Sequence, residues 1–338
     1  MAQGNEEVAQ IRERLDALAN QLVAGGRQIN SLRRLSGGAS QEMWSFDVQG
    51  VGDTTPMILR RAPGGNEQAS TGHAGYAAEA RLNILAAQAG VPVPRIHLLL
   101  EPHHGLGSGF IMQRLEGEAL GRKIVSDPHF AQARARLAWQ CGAALATMHR
   151  IDASQVPGLR HAPAGDEFAH YVERHRSYGH SRPVFELAIR WLEQNLPDTS
   201  VETTLVHGDF RNGNLLVNED GLCAVLDWEL AHLGDPMEDL GWICVNSWRY
   251  GNIDKPVGGF GEREELFAGY ESAGGRVHPD RVRFWEILGS LKWGIMCEGM
   301  VHTYLSGTER NIEKLAIGRR ASEAEIDLLR LLAPRGNR

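Results

Sequence analysis

Three side chains in one short stretch carry oxygen atoms suited to metal and phosphoryl chemistry. They are Asp209, Asn214 and Asp227, within Leu205–Trp228, LVHGDFRNGNLLVNEDGLCAVLDW. Two apolar runs, Leu215–Val217 and Leu222–Leu226, flank the turn-rich Asn218-Glu219-Asp220-Gly221, which predicts a β-hairpin. Asp209 and Asn214 precede the first strand and Asp227 ends the second. Because a hairpin returns on itself, the three are expected at one end of it, around one small volume. Oxygen ligands gathered in this way suit a hard cation such as Mg²⁺, which keeps several waters and shares phosphate oxygens.

The order of these residues is informative. An Asp, an Asn five positions later and a hairpin ending in Asp follow the order of parts in kinase-like phosphotransferases. His207-Gly208-Asp209 stands where protein kinases have His-Arg-Asp. HGDFRNGN together with LDWELAHLGDPMEDLGW resembles the aminoglycoside phosphotransferase family in the broad sense. Within it, the chain is similar to the branch related to the kinase domains fused to some acyl-CoA dehydrogenases, over residues 28–330. The resemblance implies an α+β, protein-kinase-like bilobal fold, with a small antiparallel-sheet N-lobe and a larger, mainly helical C-lobe. It implies ATP and Mg²⁺ as cofactors. Asp209 would take the hydroxyl proton, and Asn214 and Asp227 would hold the metal. Arg211 matches the place where protein kinases put a Lys aimed at the transferring phosphoryl group. Glu229, in Asp-Trp-Glu where protein kinases have Asp-Phe-Gly, is a further expected metal ligand.

These residues need a scaffold. Val8, Ile11, Leu15, Leu18 and Leu22 recur at helical spacing and predict an amphipathic first helix that ends near Gly25-Gly26. Ser36-Gly37-Gly38-Ala39-Ser40 forms a small-residue loop between two strand-like runs. Such a loop lets backbone N–H groups approach phosphate oxygens. No Gly-Lys-Ser/Thr follows, so it is not a P-loop. Met57–Arg60 reads as a third strand with Ile58 and Arg60 on one face. The resemblance places a phosphate-gripping Lys or Arg at Arg60, with Ile58 under the adenine and Arg61 on the opposite face. Arg in place of Lys substitutes a planar fork for a point charge. Tyr76–Ala89 predicts a helix, and Val91-Pro92-Val93-Pro94 stops it. Glu79, in its first turns, is expected to pair with Arg60. Phe110–Gly117 resembles the family's hinge, where Gln113 and Leu115 would offer backbone to adenine. The N-lobe is expected over 1–113 and the C-lobe over 114–338.

Past the hinge the pattern turns helical. Ala131–His149 predicts a long helix, with His149 packed or capping rather than catalytic. Phe284–Tyr304 and Glu313–Leu332 are further helical runs. The stretch His170, Arg174, His175, Arg176, His180 and Arg182 reads either as a solvated helical face or as a wall of an acceptor site that prefers anions. Asp235, Pro236 and Glu238 form a helix-start signature. Asp239, by the resemblance, anchors the catalytic loop from below. Seven residues separate Asp227 from Asp235, and no Ala-Pro-Glu follows. A peptide-docking activation segment is longer, so the acceptor is expected to be a small molecule carrying a hydroxyl.

Composition bounds the alternatives. The 338 residues carry a net charge of −7, which argues against a general nucleic-acid binder. The N-terminus is too polar for a secretory signal and no apolar run reaches membrane-spanning length, so no membrane partner is expected. Cys141, Cys223, Cys244 and Cys297 are far apart and form no CxxC, which suits reduced thiols in the cytoplasm. The expected reaction is transfer of the γ-phosphoryl group of ATP to a hydroxyl, on a hydroxyacyl compound or its CoA thioester. An aminoglycoside kinase, a nucleotide-binding pseudokinase and a scaffold are the alternatives. The sequence does not fix an oligomeric state.

Overall fold

The long amphipathic stripe near the N-terminus needs an apolar partner, and the first sheet supplies it. In the computed structural model, which describes residues 2–35, 41–66, 73–198 and 203–333, helix α1 (Ala2–Leu22) buries Ile11, Leu15, Leu18 and Leu22. They pack with Ile29, Trp44, Phe46, Val48, Met57, Leu59 and Ile111 of the sheet. Each such side chain contributes about 1.5–3 kcal/mol by leaving water, so the stripe is what secures the helix. The strands are β1 (Gln28–Arg34), β2 (Glu42–Gln49), β3 (Thr54–Arg61), β4 (Ile96–Leu99) and β5 (Gly109–Gln113). They lie in the order β1-β2-β3-β5-β4, with antiparallel neighbours throughout. Helix α2 (Tyr76–Ala89) ends at Gly90, whose left-handed backbone caps it ahead of the prolines.

The chain forms two compact units. The first is Met1–Gly117 with Ser154–Leu159 and Cys223–Ala231; the second is Glu118–Ala153 with Arg160–Leu222 and His232–Arg338. The second unit is mainly helical: α3 (Gly121–Ser126), α4 (Ala131–Met148), α5 (Ala164–Ser177), α6 (Pro183–Gln194), α7 (Met237–Trp242), α8 (Arg263–Ser272), α9 (Pro279–Leu305), α10 (Ile312–Gly318) and α11 (Ala321–Leu332). A small sheet joins β6 (His161–Ala162), β7 (Thr204–Val206) and β10 (His232–Gly234), with β10 parallel to β6 and antiparallel to β7. The strands of the hairpin are β8 (Leu215–Asn218) and β9 (Gly221–Val225).

Two expectations shift. The helical run expected over 313–332 is two helices broken at Arg319-Arg320. The stretch from His170 to Arg182 divides: His170, Arg176 and His180 are exposed, as a solvated face requires, while His175 and Arg182 turn to carboxylates. His175 is buried on Glu298 at 2.7 Å, and Arg182 bonds Glu298 at 2.6 Å and Glu325 at 2.9 Å. The Arg182 charge is therefore neutralised where it stands. Among the described residues no helix is long and apolar enough to cross a membrane.

Candidate active site

In the second unit, β7 delivers the loop His207–Asn214, and α7 holds it. Asp239 of α7 has no exposed surface. Its carboxylate accepts the backbone N–H of His207 at 2.8 Å and of Gly208 at 3.0 Å, and meets His149 Nε2 at 3.1 Å. Burial raises the Asp239 pKa, but the bond from His149 and the charges and N–H groups around it hold it below its ordinary value. Gly208 has φ +78°, a left-handed backbone that a residue without Cβ adopts freely. His149 caps α4 and also meets the Tyr270 hydroxyl at 2.9 Å, so it supports the loop from a distance. Asp235 accepts from Met237 N at 3.0 Å, the cap-like bond that its position before α7 suggested.

Asp209 is the most heavily bonded side chain of this loop. Oδ2 accepts Asn214 Nδ2 at 2.7 Å, Oδ1 accepts the Trp242 indole N–H at 2.8 Å, and Arg211 Nε reaches both oxygens at 3.0 and 3.1 Å. Arg211, expected to point at a phosphoryl group, instead lies on Asp209 and stacks its guanidinium over Trp248, 4.7 Å from the ring centroid. Asn214 spends its amide nitrogen on Asp209, including the backbone carbonyl at 3.0 Å. Its carbonyl oxygen is then the atom suited to a cation. Asn212 ties the loop to Gly258 O at 2.7 Å and accepts on its own carbonyl from the Tyr250 hydroxyl.

In the first unit, Arg60 is 7% exposed and stands among three carboxylates. Its Nη2 lies 2.9 Å from Glu79, 2.5 Å from Asp227 and 3.8 Å from Glu229. Ile58, also buried, shares its face of β3. Arg61 faces the other way and pairs with Glu7 and Glu42 at 2.8 and 2.7 Å, so the register expected from the alternation holds. Burial pushes the Glu79 carboxyl up to about 7, against the pull of Arg60, which it shares with Asp227 and Glu229. Glu229 is likewise raised, first by burial and then by Asp227. It accepts from Gln41 Nε2 and lies 3.7 Å from His73. Asp227 has φ +66°, a left-handed conformation uncommon outside glycine, which Asp tolerates at a cost on the order of 1 kcal/mol.

Three carboxylates against one guanidinium leave an excess of hard, negatively charged oxygen. Among the described residues no three His, Cys, Asp or Glu side chains form a ready-made metal cage. Mg²⁺ does not require one; it is typically held by one or two carboxylates plus substrate phosphates. The donor set therefore fits that cation. Among the described residues Arg60 Nε is buried without a partner, a spare donor beside the acids. At the hinge, Gln113 N–H donates to Arg95 O at 2.8 Å and Arg114 N–H to Pro56 O at 3.1 Å. Of the two hinge positions expected, Leu115 is thus the better placed to donate to a ligand. Ser36, Gly37, Gly38, Ala39 and Ser40 lie outside the described residues.

Trp242, Gln41 and Asn212 were not singled out from sequence. Trp242 lies in the quoted LGW, but an indole 33 residues from Asp209 gives no periodic signal of the contact.

A five-stranded antiparallel sheet with two helices, followed by a helical unit carrying a His-Gly-Asp loop, defines the kinase-like fold. The chain belongs to the phosphotransferase enzyme family, whose model matches residues 31–285, and it is a kinase-type phosphotransferase. A probable acyl-CoA dehydrogenase, IBR3, of Arabidopsis thaliana is 28% identical over 257 residues, covering 70% of this chain and 29% of that protein. The chain spans less than a third of the length of the curated relatives it matches. Among solved structures, a putative aminoglycoside phosphotransferase from Ralstonia eutropha superposes with a TM-score of 0.71 at 23% identity, covering 94% of this chain and 97% of that one. A thermostable mutant of aminoglycoside phosphotransferase APH(4)-Ia, in a ternary complex with ADP and hygromycin B, gives 0.61 at 19% identity, covering 91% and 96%.

Proposed function

We propose that the chain transfers the γ-phosphoryl group of ATP to a hydroxyl of a small molecule in a Mg²⁺-dependent reaction, with a hydroxyacyl compound or its CoA thioester as acceptor. The observation that carries this reading is the Asp209 carboxylate, held by three side chains on a loop that buried Asp239 pins at two consecutive N–H groups. A carboxylate fixed in this way can orient a hydroxyl and take its proton, while the rest of the barrier falls to positioning and charge. Arg211 restrains Asp209 and brings positive charge to the loop. Arg60, braced by Glu79, grips nucleotide phosphates; Ile58 packs under the base and Leu115 offers its N–H. Asn214, Asp227 and Glu229 would hold Mg²⁺, which when bound neutralises phosphate charge. The small-residue loop Ser36–Ser40 would cover the phosphates from its backbone. On this reading 1–113 supplies most of the nucleotide grip, while 114–338 supplies Leu115, the metal ligands and the acceptor side.

The acceptor class draws on the acyl-CoA dehydrogenase names of the curated relatives and on the short segment between Asp227 and Asp235. The basic stretch near α5 adds little, since its carboxylate partners are already in place. The test is a screen of ATP consumption over hydroxylated metabolites, hydroxyacyl thioesters and aminoglycosides. ADP and a phosphomonoester formed from a hydroxyacyl compound are the expected result. Efficient turnover of an aminoglycoside would replace the acceptor class. A thermal unfolding temperature that Mg·ATP leaves unmoved would indicate a scaffold.

A further inference from the structure

Asp209 is held from three sides, and the three holders differ in kind. Asn214 is assigned to the metal in the reading above. Arg211 is 24% exposed, so its hold on Asp209 is partly open to solvent and to competing phosphate charge. Trp242 is 5% exposed and has few places to go. Its ring packs on Trp248, 5.2 Å between centroids, and α9 comes so close at Gly289 that an added Cβ would stand 3.0 Å from Trp242 Cε3. The indole N–H is a donor with no lone pair to offer. It can therefore fix a carboxylate oxygen without competing for the proton that the carboxylate must accept.

Beneath the same ring lies an unusual cation. Lys292, on α9, is 9% exposed, and its ammonium stands 4.8 Å from the Trp242 centroid and 5.4 Å from that of Tyr171. Its nearest carboxylate oxygen, on Glu238, is 3.8 Å away, beyond hydrogen-bond reach. It faces a small cavity lined with Glu167, Tyr171, Glu238, Trp242 and Trp285. Burial disfavours its charge, yet Tyr171, Glu238, Glu167 and Asp209 together more than offset this and keep it protonated. A cation over an indole face draws ring electron density towards itself. The N–H on that ring becomes more positive and donates a stronger bond.

We propose that Trp242 is the positioning residue for Asp209, and that Lys292 strengthens its hold through the indole ring. This rests on the reading of Asp209 as the group that receives the hydroxyl proton. The order of connection is ammonium, ring, N–H, carboxylate, and only the last of these touches the reacting hydroxyl. The device keeps a charged side chain 9% exposed in the interior, where an apolar residue would pack at lower cost.

Two measurements test it in the full chain. The first is ADP release from Mg·ATP with water as the acceptor, in Trp242→Phe, Lys292→Met, Asp209→Asn and the double variant Trp242→Phe/Asp209→Asn. Trp242→Phe should lower kcat about tenfold, the equivalent of one charge-assisted hydrogen bond, with KM for ATP within about twofold. In the Asp209→Asn background the same change should cost nothing further, because an amide gains little from the indole. A similar loss in both backgrounds, or a change in KM alone, overturns the proposal. The second is the ¹⁵N-indole NMR spectrum, with the Trp242 resonance assigned from Trp242→Phe. That N–H signal should move upfield in both Asp209→Asn and Lys292→Met, and an unmoved signal in either overturns the proposal without reference to turnover. An Asp209→Asn protein with wild-type ADP release would instead sink the reading of Asp209 itself.

Discussion

Asp239→Asn is the sharpest probe of how the catalytic loop is held. The carboxylate takes three bonds: His207 N–H and His149 on Oδ2, and Gly208 N–H on Oδ1. An amide can keep only one oxygen. With that oxygen at Oδ2, the NH₂ faces the Gly208 N–H, donor against donor, at a side chain with no exposed surface. One bond to a charged acceptor is lost, at about 1.5–3 kcal/mol, and the other two fall to neutral strength. The expected total is about 4 kcal/mol of folding stability at neutral pH, read from urea unfolding. The pH dependence has a definite sign. The folded pKa of Asp239 lies below its ordinary 3.8, so its stabilisation is complete above that value and is lost as pH falls through it. The gap between wild type and Asp239→Asn should therefore narrow below pH 3.8. A difference under about 1 kcal/mol at neutral pH, or a gap that widens in acid, would refute the reasoning.

Other outcomes follow from the first unit and the packing under α7. Arg60→Ala should weaken Mg·ATP binding and lower stability by about 3–5 kcal/mol, because three acids lose the cation they share; isothermal titration and urea unfolding read the two effects. Arg61→Ala should leave ATP affinity unchanged, and the reverse pattern would place the phosphate grip on the other face of β3. Glu79 titrates near 7 when folded against an ordinary 4.5, so its favourable contribution is fully present below 4.5 and lost as pH rises through 7. Glu79→Gln, which stays neutral, should gain on wild type across that window by about 3 kcal/mol, and a flat difference from acid to alkaline pH would contradict the assignment. Gly241→Ala places a Cβ 2.5 Å from Trp285 Cβ and 2.8 Å from Glu286 N, and should lower the unfolding temperature by several degrees while misplacing Asp239 and Trp242.

Much of this arrangement was legible from sequence because it rests on local rules. The helix Tyr76–Ala89 has those bounds in the structure, since Val91-Pro92-Val93-Pro94 leaves no way to continue it. Strand alternation sorted Arg60 from Arg61, and Glu79 does meet Arg60. What escaped depends on tertiary packing. The Asp209–Trp242 bond requires α7 to lie beneath the loop, and no spacing rule connects the two residues. Arg211 settles on Asp209 because Trp248 offers its guanidinium a face, which a reading by analogy with protein kinases could not anticipate. For the basic stretch near α5 the sequence leaves an anion site open beside a solvated face, because the partners Glu298 and Glu325 lie more than a hundred residues further along the chain. The break at Arg319-Arg320 occurs between two segments that each carry helical periodicity, so the pattern alone did not show it.

The most direct test of the central claim follows the γ-phosphorus of ATP by ³¹P NMR, with Mg²⁺ and a panel of hydroxylated metabolites and hydroxyacyl thioesters. The wild-type protein should convert the γ resonance into that of a phosphomonoester as ADP accumulates. Asp209→Asn should slow that conversion on the order of 10²-fold while binding Mg·ATP within a few-fold of wild type. Inorganic phosphate as the sole product across the panel, or a phosphomonoester formed undiminished by Asp209→Asn, would contradict it.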